Sequence, residues 1–202
     1  MARLLLSKHT LASERKKLMA YQRFLPALDL KRQQLRQAQK QCQIEYDALC
    51  RELEEVMATV KKQLPMLSAL RFSISDLVSV GQVSVESRSQ MGVILPHVVE
   101  YGATVIPRPP MVNAPWLGYL QQQLLTAIQL RVALKVKKQQ LVLLRAAVVK
   151  TTQRVNLFDN VLIPRTSSNI KRIQVYLGDR EREAVVAAKI AKRRRALPDP
   201  MP

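Results

Sequence analysis

The chain has 202 residues, with 33 Lys and Arg against 15 Asp and Glu, for a net charge of +18. A hydrophobic content of 48% excludes a disordered basic tail, and 5 Gly with 4% aromatics disfavour glycine-turned α/β folds and β-sandwiches. The two cysteines, Cys42 and Cys50, fit no metal or redox spacing and point to a reducing compartment.

Arg3 and Leu4–Leu6 open like a signal peptide, but Lys8 and His9 end the apolar run too early. From Leu11, every seventh residue reads Leu11, Leu18, Leu25, Arg32, Gln39, Tyr46, Leu53, Val60, Leu67. The row three residues on reads Glu14, Tyr21, Leu28, Leu35, Cys42, Leu49, Val56, Gln63, Leu70. Such a seam at 3.5-residue spacing predicts a coiled-coil helix over 8–70, about 90 Å long at about 1.5 Å per residue. Pro26 and Pro65 each remove one backbone bond and predict bends. Arg32 and Gln39 either fix the register or mark a local opening of the seam.

The next stretch, 71–115, alternates apolar and polar residues and is rich in β-branched groups. Strands are expected at 71–75 and 82–87, and a third at 91–96 ended by Pro96. Pro107, Pro109, Pro110 and Pro115 then forbid regular structure. This β-hairpin and proline-rich loop are expected at one end of a long stalk.

A second seam follows: Leu120, Ala127, Leu134, Leu141, Val148, Val155, Leu162. Its companion row (Gln123, Leu130, Lys137, Leu144, Thr151, Phe158) is only half apolar, so that side reads as weaker. Pro164 interrupts, and the pattern resumes at Ile170, Leu177 and Ala184. A helix over 116–195, bent near Pro164, and a flexible tail over 196–202 are expected. The fold class is mainly α: a long antiparallel left-handed coiled coil of N- and C-terminal helices with a small β-hairpin region between them. The principal seam residues are Leu28, Leu35, Leu49, Leu53, Leu134, Leu141, Val148 and Val155. Folding back sets Leu11 near Tyr176 and Leu35 near Thr152, within one or two turns. Leu141–Val149 is the best membrane-span candidate, but it is short and contains Arg145, so no direct membrane insertion is expected.

Charge is concentrated at both ends. Residues 1–40 carry +8, 116–170 carry +7 and 171–195 carry +6, while 41–115 are neutral to slightly acidic. A basic pole of this kind needs an acidic partner. Lys192–Arg195 reads either as a nucleic-acid patch or as a solvated helix end that complements the helix dipole. His9 and His97 lack ligand or catalytic partners at usable spacing, and the five glycines, at 81, 92, 102, 118 and 178, cannot form a phosphate loop. Glu52, Glu54 and Glu55 fall on a solvated face balanced by Arg51, Lys61 and Lys62. A non-catalytic chain without cofactor or metal is expected.

Four stretches carry a resemblance. Leu28–Leu35 (LDLKRQQL) is similar to a Leu-Lys-x-Lys-Arg-Asp-x-Leu motif, with Asp29 and Gln33 as departures. Ser87–Pro96 is similar to a hairpin segment ending Met-Gly-Val-x-x-Pro. Arg154-Val155-Asn156-Leu157-Phe158, Val161, Ile163-Pro164-Arg165 and Ile170-Lys171-x-Ile173 follow, and then Leu177–Glu183 (LGDRERE). Over roughly 8–190 the chain resembles the D subunit, the central rotor shaft of V-type and A-type rotary ATPases. Pro26 lies where most relatives stay helical, and 97–115 matches nothing diagnostic.

The resemblance implies a shaft whose two termini enter the bore of a catalytic head built of A and B subunits. Its hairpin would lie beside the small F subunit of the central stalk, toward a membrane-ring adaptor on the cytoplasmic face. Torque would pass between the ATP-hydrolysing or ATP-synthesising head and the ion-translocating ring. Arg165, Lys171, Arg172, Arg180 and Arg182 are the candidate head contacts. Gln90, Met91, Gly92, Val93 and Pro96 form the candidate hairpin. A competing reading is a basic coiled-coil protein that binds nucleic-acid phosphates, or a static scaffold. The basic residues are spread along both helices with almost no aromatics for stacking, so no nucleic-acid partner is expected.

Overall fold

A computed structural model of the chain describes residues 5–69, 77–106 and 115–196. Helix α1 spans Lys8–Gln63. No glycine occurs in that span, which is rich in Leu, Gln, Lys, Arg, Glu and Ala, all strong helix formers. Ser7 caps its start, its hydroxyl accepting the Thr10 backbone N–H at 3.2 Å. The helix runs through Pro26 and stops at Gln63; a 3-10 turn, Pro65–Ala69, begins at Pro65. Pro65 therefore ends α1, where a bend and continuation to residue 70 were expected. Its missing N–H and its ring close off the α ladder there.

Helix α2 covers Pro115–Leu157, with its proline at the first turn, where no donor is lost. It leads into a π-helical turn, Phe158–Leu162, and then α3, Ile163–Ala196. The interruption expected at Pro164 thus takes the form of a wide turn just before it. The sequence-expected strand at 71–75, the prolines 107–110 and the tail beyond Ala196 lie outside the described residues.

Between the helices lie β1 (Val78–Val80), β2 (Ser84–Gln90), β3 (Val93–Glu100) and β4 (Ala103–Val105). They form two antiparallel ribbons, β1–β4 and β2–β3. The β2–β3 turn is Met91-Gly92, with φ of 53° and 77°, the positive pair that a two-residue hairpin turn uses. The inner ribbon closes at Gly81 and Gly102, where the Gly81 N–H donates to the Gly102 carbonyl and a Cβ at either glycine would strike backbone. Pro96 does not end its strand: β3 runs on to Glu100, and Pro96 pairs with Ser87. The Pro96 carbonyl points away from β2, toward α2, and its nitrogen shares that edge, so the proline removes no ladder bond.

The chain divides into two compact units, Met1–Leu30 with Thr151–Pro202, and Lys31–Lys150. In the second, Leu35, Cys42, Leu95, Leu141 and Leu144 form one buried cluster, with Ala38, Tyr46, Val93, Ala147 and Val148 against it. A further cluster gathers Leu64, Leu77, Val78, Leu117 and Leu120 where α1 ends and α2 begins. Leu95 and Val93 of β3 therefore pack on helix positions more than twenty residues from that junction. The hairpin is laid back along the helices of its unit rather than set at their end, where the sequence pattern places it. In the first unit Glu14, Thr151, Val155, Thr166, Ile170 and Ile173 are buried.

Candidate functional site

The functional surfaces are built from the inward and outward faces of these helices. In the Met1–Leu30/Thr151–Pro202 unit, α1 meets the returning helical segment through Lys8–Glu181 at 3.8 Å, Glu14–Asn169 at 3.3 Å and a Tyr21–Phe158 edge-to-face contact at 5.4 Å. Ascending numbers on one side meet descending numbers on the other, so these segments run antiparallel. Position 11 lies between the first two of these pairs, opposite the span 169–181 in which Tyr176 falls. Glu14 is only 7% exposed and accepts from Lys17 at 2.7 Å. That hydrogen bond, with help from Asn169 and the nearby Arg165 charge, holds its carboxyl below the ordinary glutamate range despite burial.

In the Lys31–Lys150 unit the polar contacts again run antiparallel. Lys137 Nζ donates to Glu45 Oε2 at 2.6 Å, and Gln41 supports the other carboxylate oxygen at 3.1 Å. Both bonds, Lys137 first, lower the Glu45 pKa. Arg145 donates to Gln43 at 3.1 Å. Gln140, 3% exposed, joins three elements: its amide nitrogen donates to the Pro96 carbonyl, and its oxygen lies 3.7 Å from Cys42 Sγ. Burial pushes the Cys42 thiol up. The companion row read as the weaker side of α2 holds the buried Leu144 and Thr151, and its Lys137 reaches Glu45. Leu35 clusters with Leu141 and Leu144, about two to three turns from the Thr152 expected for it.

Among the eight named seam positions, Leu35, Leu141 and Val155 are buried, and Leu28, Leu49, Leu53, Leu134 and Val148 are half-buried. Arg32 and Gln39 are also half-buried. Near the end of α1, Gln63 is exposed and its neighbour Leu64 is buried instead. At the hairpin, Gln90, Met91 and Gly92 are exposed at the tip, while Val93 and Pro96 are half-buried. A Cβ on Gly92 would sit 3.3 Å from Lys31 Nζ, which places the tip beside the start of that unit's α1 segment.

All five basic candidates of α3 are exposed. Arg165 acts on Glu14 electrostatically. Arg180 donates to the Tyr176 hydroxyl at 3.1 Å and lies 5.6 Å over its ring. Arg182 pairs with Asp179 at 3.4 Å. Lys171 and Arg172 project from the outer face with no ion pair among the described residues. Past Glu181 the helix carries exposed Val185, Val186 and Ile190 among Lys189, Lys192 and Arg193–Arg195.

Sequence reasoning passed over Gln140, which stands in the run Lys137-Lys138-Gln139-Gln140 and reads as solvated; only the ribbon laid across it makes it interior. Glu14 had a visible signal, a carboxylate inside an apolar row three residues before Lys17. Among the described residues no group of three His, Cys, Asp or Glu is placed to hold a metal, and no helix is long and apolar enough to cross a membrane.

The sequence profile of the ATP synthase D-subunit family matches residues 10–193. The chain is 32% identical over 192 residues to the D subunit of a V-type ATP synthase from Borreliella burgdorferi, covering 95% of each chain. It is 28% identical over 196 residues to its counterpart from Chlamydia pneumoniae, covering 94% of this chain and 91% of that relative. The D subunit of an A-type ATP synthase from Thermoplasma volcanium is 27% identical over 155 residues, 72% of each chain. With its profile spanning nearly all of both helical segments and the ribbons between them, the chain belongs to the D-subunit family of ATP synthases.

Proposed function

We propose that this protein is the central rotor shaft of a V/A-type rotary ATPase, a non-catalytic subunit that carries torque between the nucleotide-handling head and the membrane ion-translocating ring. Its role is then in ATP synthesis or ATP-driven ion transport within a complex. The partners are the A and B subunits of the head, the small F subunit of the stalk and a membrane-ring adaptor, with the chain peripheral on the cytoplasmic face. The observation that carries this reading is the family match over residues 10–193 in a chain whose long helices run antiparallel in each unit.

In mechanical terms, two helices joined by a packed seam resist twisting better than one, and torque needs that resistance. We assign α1, and α2 with α3, to an antiparallel left-handed coiled coil, with the ribbons between them as its hairpin region. A shaft must also differ around its axis, so that each angle favours a different state of each catalytic interface. The basic outer face of α3, where Lys171 and Arg172 make no ion pair among the described residues, suits contact with acidic or carbonyl-rich walls of the head.

Affinity purification of the tagged chain from its native membrane tests this. Nucleotide-binding subunits should co-purify with it, and a bead tethered at Gln90→Cys should turn when ATP is added. Purification without ATPase partners, or ATP hydrolysis with a stationary bead, would refute the shaft assignment.

A further inference from the structure

The wide turn at Phe158–Leu162 coincides with a change of phase in the buried stripe. Thr151 and Val155 are buried ahead of it. Seven-residue spacing carries their two rows to 158 and 162, and then to Arg165, Asn169, Arg172 and Tyr176. The residues actually buried beyond the turn are Thr166, Ile170 and Ile173, with Asn169, Tyr176 and Leu177 half-buried beside them; Arg165 and Arg172 are exposed. The stripe has moved by one residue. The sequence has the same step, since Leu162 is followed in its row by Ile170, eight residues on.

A π turn holds one residue more than an α turn. Here the Ile163 N–H bonds to the Phe158 carbonyl, five residues back. Pro164 has no N–H to offer the Asn160 carbonyl, which eases the departure from the α ladder. Phe158, at the start of the turn, is the residue held edge-on by Tyr21.

We infer that Phe158–Leu162 is a one-residue register adaptor that sets which face of α3 turns toward α1 and which basic side chains it presents outward. Without it, the same sequence would press Arg165 and Arg172 into the stripe and turn Ile170 and Ile173 to solvent. Unpaired guanidinium groups in that position are not tolerated. The structural half of this inference stands alone; its use in positioning a head-binding face rests on the shaft reading.

Two length variants of the full chain test it, each in a Cys42→Ala, Cys50→Ala background with Glu14→Cys and Asn169→Cys joined by a short bis-maleimide. Deleting Asn160, which is exposed, removes the extra residue, so the turn closes to α-helix with the stripe still in phase. The cross-link should form as in the parent. Inserting one alanine after Asn160 exceeds what a π turn absorbs; the cross-link should be lost and the melting temperature should fall. Loss of the cross-link in the deletion variant, or its retention in the insertion variant, overturns the adaptor. Both variants, without the cysteine changes, are then assembled with head subunits. ATP-driven rotation should survive the deletion and fail with the insertion. Equal rotation by both, with the cross-linking pattern as expected, would sink the head-facing role while leaving the register adaptor intact.

Discussion

Gln140 on α2 donates its side-chain amide to the carbonyl of Pro96 on β3 and holds the ribbon on the helices. The same side chain faces Cys42 Sγ at 3.7 Å. Gln140→Ala should destabilise the protein by about 1–3 kcal/mol, since a half-buried carbonyl loses its donor. A second reading comes from Cys42, which should react faster with a thiol reagent once its cover loosens. Unchanged labelling together with unchanged stability would show that the ribbon is held by its apolar contacts alone.

Those apolar contacts have their own signature. Leu95 is 2% exposed in the main cluster, whereas its neighbour Ile94 is 67% exposed. Leu95→Ala should cost about 2–5 kcal/mol through lost contacts and a residual cavity, and Ile94→Ala should cost well under about 1 kcal/mol. Urea unfolding of the two variants side by side gives the comparison; similar losses would mean that β3 is not docked through Leu95.

Glu14 gives the protein an acid-sensitive contact. Its folded-state pKa lies below the ordinary value of 4.5, chiefly through the Lys17 hydrogen bond and then Asn169. The unfolded chain therefore binds the proton first as pH falls, and stability is lost as pH drops from about 4.5 through the folded value. Melting temperatures of Glu14→Gln should fall less steeply than the parent's between about pH 6 and about pH 3. Glu45, held down by Lys137, should keep a residual acid sensitivity in both. Parallel profiles would mean that Glu14 contributes nothing through its charge.

Pro164→Ala separates the proline from the extra residue as the cause of the wide turn. Register alone demands the turn, so the variant should keep it, and stability should change by no more than about 1 kcal/mol. Loss of the Glu14–Asn169 proximity in this variant would assign the turn to Pro164 instead.

Much of this was legible in the sequence, and the remainder fails for definable reasons. The seven-residue rows locate α1 because helical periodicity is a local property, whereas Met91 and Gly92, read as the start of a strand, form the hairpin turn with φ positive at both. Where the ribbon docks was not legible: alternation in β3 specifies that one face is covered, but not that Leu95 meets Leu35 and Leu144. Gln140 was lost with it. Pro65 read as a bend and proved a terminus, because its ring and missing N–H close the α ladder and a 3-10 turn follows. The eight-residue step before Ile170 was in plain view, but only burial distinguishes a phase shift from a bend.

From Arg182 to Arg195 every side chain of α3 is exposed. Those final turns have only their own ladder and exposed ion pairs such as Arg182–Asp179 to keep them wound, so their amide protons should exchange early, with the buried middle following much later. A cavity that grips this segment would receive a preshaped but loosely held cationic finger, and its capture would quench fraying that the rest of the fold cannot reach.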